Sequence, residues 1–128
     1  MNVLRRPGER GQDLLEYALL VPVFLLTMLV ILDLGRTTYY YSVIQNSARE
    51  AARYGIIHPG DGPGMEARAR AMAVGVDQSR LTVTSFSNAE RVVVQVRYRY
   101  IPLTPVISRL LGAAEITLQS QAAMQIEQ

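Results

Sequence analysis

The sequence contains no cysteine, no tryptophan and no lysine, and it has a single histidine, His58. Without cysteine, the chain has neither a disulfide framework nor a thiol nucleophile. One histidine with only Asp61 near it in the sequence forms no paired-histidine metal pattern, and no glycine-rich phosphate loop follows a predicted strand. These absences argue against an enzyme, a metal site or a cofactor site, and His58 is interpreted as a histidine of a surface turn.

One long apolar run dominates the first third of the chain. Residues 14–34 are 21 in number, and only Glu16 and Asp33 among them are charged. About 20 apolar residues in a helix, each rising ~1.5 Å, cross the hydrocarbon core of a bilayer. A buried core helix of a soluble protein is disfavoured, because no other segment is apolar enough to surround it. The sequence therefore predicts a transmembrane helix over residues 12–34, kinked at Pro22, where proline removes a backbone donor.

The positive charge of the chain is confined to its amino terminus. Residues 1–11 hold three arginines and one glutamate, which accounts for the net charge of +2, and residues 12–128 hold ten arginines and ten acidic residues. Because there is no basic stripe, nucleic acid is not an expected partner. Arginines before an apolar helix stay in the cytoplasm, so residues 1–11 are predicted to be cytoplasmic and residues 35–128 to lie outside.

Glu16 is the one acidic residue inside the apolar segment proper. A carboxylate near the end of a membrane helix marks either a functional partner or a side chain that reaches the lipid headgroups. Gly11 lies five residues before Glu16 and follows three arginines. A cut after Gly11 would make Gln12 the new amino terminus and Glu16 the fifth mature residue.

This arrangement resembles the class III, or type IV-like, prepilin processing site. The Glu16-Tyr17 pair is similar to the version used by tight-adherence (Tad) pilus systems. From Gly11 to Gly55 the chain resembles the TadE-like family, through an apolar helix with a proline, an Asp-Leu-Gly-Arg exit and an Ala-Arg-Glu-Ala-Ala-Arg run over 48–53. The resemblance implies a pilin-like subunit for pilus assembly, with cleavage between Gly11 and Gln12 and a role for Glu16 and Tyr17 in subunit assembly.

The same resemblance implies the partners and the location of the protein. The partners are a prepilin peptidase, other pilin or pseudopilin subunits, the pilus assembly platform and the lipid bilayer. The location is the bacterial inner membrane, with incorporation into a pilus as a later stage. The 117 residues left after cleavage favour a minor subunit, since the main subunits of Tad pili are shorter. The alternative is an uncleaved single-pass envelope protein that acts as a scaffold or binding domain.

Beyond the apolar run the helix is predicted to continue to Tyr54, which makes it ~60 Å long. A seven-residue repeat with intermediate rows predicts its inward stripe. The repeat is Leu34, Tyr41, Ala48 and Gly55, and the intermediate rows are Thr37, Ile44 and Ala51. Arg49 and Arg53 lie on another face, which is interpreted as solvated.

Residues 35–128 are predicted to form one external α+β domain, in which the distal half of the helix packs on a three-stranded antiparallel sheet. Patterns of turn and apolar residues predict the elements: a loop over 56–64, a helix over 65–76, strands over 81–86, 92–101 and 115–127, and a helix over 105–111. Thr104 is the predicted N-cap of the last helix. Arg97 and Arg99 alternate with apolar residues, so they are interpreted as the wet face of a strand and not as a phosphate-binding pair.

Overall fold

The computed structural model describes residues 7–126, with side chains from residue 11 onward. Its first element is a single helix, α1 (Pro7–Ile57), of 51 residues, which corresponds to a length of ~75 Å. α1 is longer than predicted at both ends, and it continues through Gly11. It is also helical without interruption through Pro22, so a bend at that position stays a prediction. Arg5, Arg6 and Glu127 lie outside the described residues.

The rest of the chain packs against the second half of α1. The order is α2 (Gly62–Met72), a 3₁₀ turn (Gln78–Arg80), β1 (Leu81–Ser87), β2 (Arg91–Tyr100), α3 (Pro105–Leu111) and β3 (Ile116–Gln125). The strands form one antiparallel sheet in the order β1-β2-β3. This confirms the predicted α+β fold, a long apolar helix followed by a three-stranded antiparallel sheet and short helices.

β2 is the central strand, and it returns along α1. Its inward residues are all buried, as the alternation predicted: Val92, Val94, Val96, Tyr98 and Tyr100. Arg97 and Arg99 are exposed on the other face. Val92 lies beside Gly55 near the end of α1, whereas the Tyr100 ring packs on Tyr40. β2 therefore leads the chain back towards the apolar half of α1.

The buried stripe of α1 agrees with the prediction in its distal part only. Ile44, Ala48, Ala51 and Ala52 are fully buried, and Gly55 is buried with them. Leu34 and Tyr41, however, are 66% and 45% exposed. A strict seven-residue repeat drifts by ~20° per heptad on a straight helix of 3.6 residues per turn. The contact face consequently continues through Tyr40 and Asp33, and the prediction of Leu34 and Tyr41 as inward residues is wrong.

α2 begins and ends earlier than predicted. Residues 62–64, predicted as loop, form its first turn because Asp61 Oδ1 accepts a hydrogen bond from Gly64 N at 2.9 Å. Asp61 Oδ2 accepts another from the Tyr54 hydroxyl at 2.9 Å, and together these bonds lower the pKa of Asp61. Met65, Ala69 and Ala73 are buried, whereas Met72 is half-buried and is the last residue of the helix.

The two glycines of α1 at positions 35 and 55 give a matched test of this packing. A methyl group at Gly55 would lie 2.5 Å from the Met65 sulfur and 2.7 Å from Val92 Cγ1, whereas one at Gly35 would meet nothing within 4 Å. Alanine gains about 1 kcal/mol of helix propensity at either site. The clash at Gly55 adds a cost of about 1–3 kcal/mol. We expect Gly35→Ala to raise the unfolding temperature of the full chain in detergent. Gly55→Ala should have a lower unfolding temperature than Gly35→Ala. Equal shifts would contradict the packing.

Candidate functional site

The first half of α1 is a bare apolar helix. Its large apolar side chains between Leu14 and Leu32 are 38–71% exposed. Among the residues that the structure describes, α1 is the one helix long and apolar enough to cross a membrane. The exposed run is ~28 Å long, close to the ~30 Å of a hydrocarbon core. A core helix of a soluble protein would be covered, so the exposure of this run argues against that alternative.

The predicted processing and assembly residues lie together at the start of this run. Gly11 is exposed within α1, and a side chain at its position would meet nothing within 4 Å. Glu16 and Tyr17 line a shallow surface with Asp13 and Leu20, because these four positions share one face of a helix. The salt bridges found between residues 11 and 126 do not include Glu16. Asp13 was missed by the sequence analysis, although its spacing from Glu16 places a second carboxylate on that face.

Asp33 lies where the bare half of α1 meets the folded domain. Its side chain is 1% exposed. Oδ1 accepts hydrogen bonds from the Tyr100 hydroxyl at 2.7 Å and from Leu103 N at 2.8 Å, and Oδ2 accepts one from Thr104 N at 2.8 Å. An ionised carboxylate only accepts hydrogen bonds, and three donors on two oxygens satisfy it. None of the salt bridges found among residues 11–126 involves Asp33. These bonds hold the segment after β2 against the point where the exposed apolar run ends.

Thr104 stands at the predicted N-cap position of α3. α3 begins at Pro105 and ends at Leu111, as predicted. Gly112 follows it with a φ of +66°. The Thr104 side chain, however, makes no capping hydrogen bond to α3. Its backbone N–H and that of Leu103 are both held by Asp33. The backbone of Thr104 is therefore held in place by a residue of α1. The local sequence around Thr104 does not predict this contact.

A cluster of tyrosines packs beside Arg36, close to Asp33. The Tyr40 ring packs against Tyr98 and Tyr100, with centroids 5.1 and 5.3 Å away. The Arg36 guanidinium lies 5.4 Å from the Tyr100 centroid and donates to the Tyr40 hydroxyl at 3.1 Å. Burial, together with the hydrogen bond to Asp33, raises the pKa of Tyr100 to about 12. The phenol thus stays protonated, and keeps its donor for Asp33, well above neutral pH.

The remaining candidates lie away from this junction. His58 is exposed in the turn after α1, and its ring stacks on that of Tyr54 with centroids 4.5 Å apart. Arg49 and Arg53 are exposed, which confirms the solvated face. Glu50, between them in the sequence, lies 3.9 Å from Arg53 and 3.9 Å from Arg68. Such exposed pairs contribute little to stability.

Conservative variants of Asp33 and Tyr100 should lower the free energy of unfolding of the domain by different amounts. Asp33→Asn places an amide NH₂ where a carboxylate oxygen accepts, so at least one buried donor loses its acceptor, at a cost of about 1–3 kcal/mol. Tyr100→Phe removes one donor and leaves two others on the carboxylate, so we expect a lower cost of about 1.5 kcal/mol, the low end for a hydrogen bond to a charged group. Chemical unfolding of the full chain in detergent, followed by circular dichroism, measures both. A smaller effect for Asp33→Asn than for Tyr100→Phe would contradict the described contacts.

Comparison with protein-family models matches residues 11–53 to the family described as TadE-like protein. The matched segment contains Gly11, Glu16, Asp33 and most of the helix stripe, and it covers about a third of the chain. The match confirms the resemblance drawn from the sequence over this segment. Searches of curated proteins and of solved structures give no match.

Proposed function

We propose that this chain, similar to TadE-like proteins over residues 11–53, is a pilin-like subunit for assembly of a Tad or type IV-like pilus. The observation that carries the proposal is that the matched segment coincides with the bare apolar helix and with its junction to the domain. A subunit of this kind needs a helix that is stable in lipid before assembly and against other helices afterwards. The role is structural, and its partners are other pilin or pseudopilin subunits and the assembly platform.

The proposed organisation follows the helix. Residues 1–11 are a cytoplasmic leader, residues 12–34 cross the inner membrane and residues 35–128 form the external domain. The burial of Asp33 against the sheet supports a lipid boundary at this level, since the exposed apolar run ends at Leu32. The arginines of the leader support a cytoplasmic amino terminus, because positive flanks are retained on that side.

A reporter enzyme that is active only outside the cytoplasm tests the orientation. Fused after Gln128, it should be active, because the external domain carries the carboxy terminus across the membrane. The matched control is a reporter that is active only in the cytoplasm, fused at the same position, which should be silent. An active cytoplasmic reporter would reverse the proposed topology.

The leader is proposed to be removed by a membrane-bound prepilin peptidase between Gly11 and Gln12. Gly11 is exposed, and its neighbourhood is open for 4 Å around the position of a side chain. Glycine is also ~1 kcal/mol less favourable than alanine inside a helix, so α1 is locally easier to unwind near this bond than it would be with alanine at position 11. Both features favour access of a peptidase.

Intact-mass analysis of the protein from native membranes tests the cleavage. We expect a chain that begins at Gln12, or a modified form of it, in cells that hold the peptidase and the full-length chain in cells that lack it. A full-length chain in both would favour the alternative of an uncleaved envelope scaffold.

Glu16 is proposed to set the register between assembled helices. Cleavage frees an α-amine on Gln12, and the exposed Glu16 carboxylate of a neighbouring subunit is a suitable counter-charge. Each charge alone is costly in apolar surroundings, so pairing favours one axial position of the helices. Apolar contacts along the rest of the run are not directional and fix no such position.

Neutral variants of the two neighbouring carboxylates separate this pairing from a general effect of charge. Glu16→Gln keeps the shape but removes the charge, so we expect normal insertion and cleavage with a loss of filament assembly. Asp13→Asn removes one charge from the same face and should leave assembly near normal. Filament counts and cross-linking of the subunit to the pilus measure the difference. Normal assembly by Glu16→Gln would rule out the pairing.

A further inference from the structure

The connection between β2 and β3 lies at the end of the domain from which the bare half of α1 emerges. β2 ends at Tyr100, whose hydroxyl donates to Asp33, and two backbone N–H groups of the connection donate to the same carboxylate. β3 starts at Ile116, which pairs with Tyr100. Residues 101–115 are therefore held at the level of Asp33, where the exposed apolar run 14–32 ends.

This connection exposes large apolar side chains: Ile101, Leu103, Val106, Leu110 and Leu111. Leu110, at 83%, is the most exposed large apolar residue in the part of the chain that the structure describes. Val106 and Leu110 are one helical turn apart in α3, so they lie on the same side of it. Exposed apolar patches of this kind mark contacts with a membrane or with another protein.

The opposite end of the domain has a polar turn, beside which Ile57 and Phe86 are exposed as single apolar residues. The turn between β1 and β2 is polar, Ser87-Asn88-Ala89-Glu90, and the Asn88 side chain accepts from the N–H groups of Glu90 and Arg91. Ser87 Oγ accepts from Gly60 N, which places this turn at the far end of α1. Residue 55 is ~33 Å along the helix from residue 33. The apolar connection is thus at the end nearest the proposed bilayer.

We propose that the lipid-facing connection, defined as residues 101–112, rests on the same bilayer that α1 crosses, with Val106, Leu110 and Leu111 inserted at the boundary between headgroups and acyl chains. The occupant is lipid because the connection is continuous with the apolar run and is fixed to its end by Asp33. Arg109 lies between Val106 and Leu110 in the sequence and is exposed. Its positive charge is attracted to anionic lipid headgroups.

The consequence is a second point of attachment. A single helix anchors the domain but leaves it free to rotate about the helix axis and to tilt on the surface. An interfacial contact held rigidly at Asp33 fixes both angles, so the sheet presents a constant face to arriving subunits. This inference rests on the membrane anchoring of the proposed function and not on cleavage or filament assembly.

Spin labels on single cysteines test the contact, since the natural chain is free of cysteine. The full chain is placed in vesicles of phosphatidylethanolamine and phosphatidylglycerol, with a label introduced by Leu110→Cys, Phe86→Cys or Leu20→Cys. Phe86, 61% exposed near the polar turn, is the matched water-facing control, and Leu20 reports the span itself. Collision with oxygen, which concentrates in lipid, is compared with collision with a water-soluble nickel chelate.

We expect the labels at residues 110 and 20 to favour oxygen several-fold over the label at residue 86. Val106→Cys repeats the measurement one turn away in case Leu110→Cys fails to fold. A label at residue 110 that behaves like that at residue 86 would overturn the proposal while leaving the anchor intact. Protection from both reagents with broadening between labels would assign the patch to a second copy and would also overturn it. A water-facing label at residue 20 would remove the anchor and the contact together.

Discussion

The hydrogen bonds accepted by the Asp33 carboxylate fix one end of the sheet domain at the point of α1 where the exposed apolar run ends. On one side is an exposed apolar helix with no tertiary support, and on the other is a small sheet domain. The carboxylate fixes the end of β2 through Tyr100 and the start of the following connection through two backbone N–H groups. A buried charge is tolerated here because each oxygen has donors. The chain therefore places a charge at the one level where lipid gives way to the domain.

The remaining structure follows from that attachment. β2 runs back along α1, and the small side chains of Ala48, Ala51 and Ala52 allow the sheet to approach the helix closely there. The Arg36 and tyrosine cluster fills the space beside Asp33, and the high pKa of Tyr100 keeps its hydroxyl a donor. The connection that carries α3 is then held beside the apolar run, which positions its exposed leucines for lipid.

The parts of the fold that the sequence predicts are those with a local signal. Alternation along β2 predicts its buried face, and the apolar run predicts the bare helix. The contact of Asp33 with residues 100, 103 and 104 spans 67 to 71 positions, so no local pattern contains it. Thr104 is the N-cap residue of α3, as its local pattern predicts, but its side chain does not make the capping hydrogen bond. The early start of α2, in contrast, has a local cause, because the Asp61 side chain caps the helix by accepting from Gly64 N. The roles of Gly11, Gln12, Glu16, Tyr17 and Pro22 stay predictions, because they concern partners, processing or a bend.

Amide hydrogen exchange of the full chain in lipid vesicles tests the central role of Asp33 most directly. The N–H groups of Leu103 and Thr104 lie outside regular secondary structure, so without the carboxylate they would exchange as fast as those of an exposed turn. We expect strong protection of both amides in the unaltered protein. Asp33→Asn, which keeps only one accepting oxygen, should lose the protection of at least one of them while the amides of β2 stay protected. Fast exchange of Leu103 and Thr104 in the unaltered protein would contradict it.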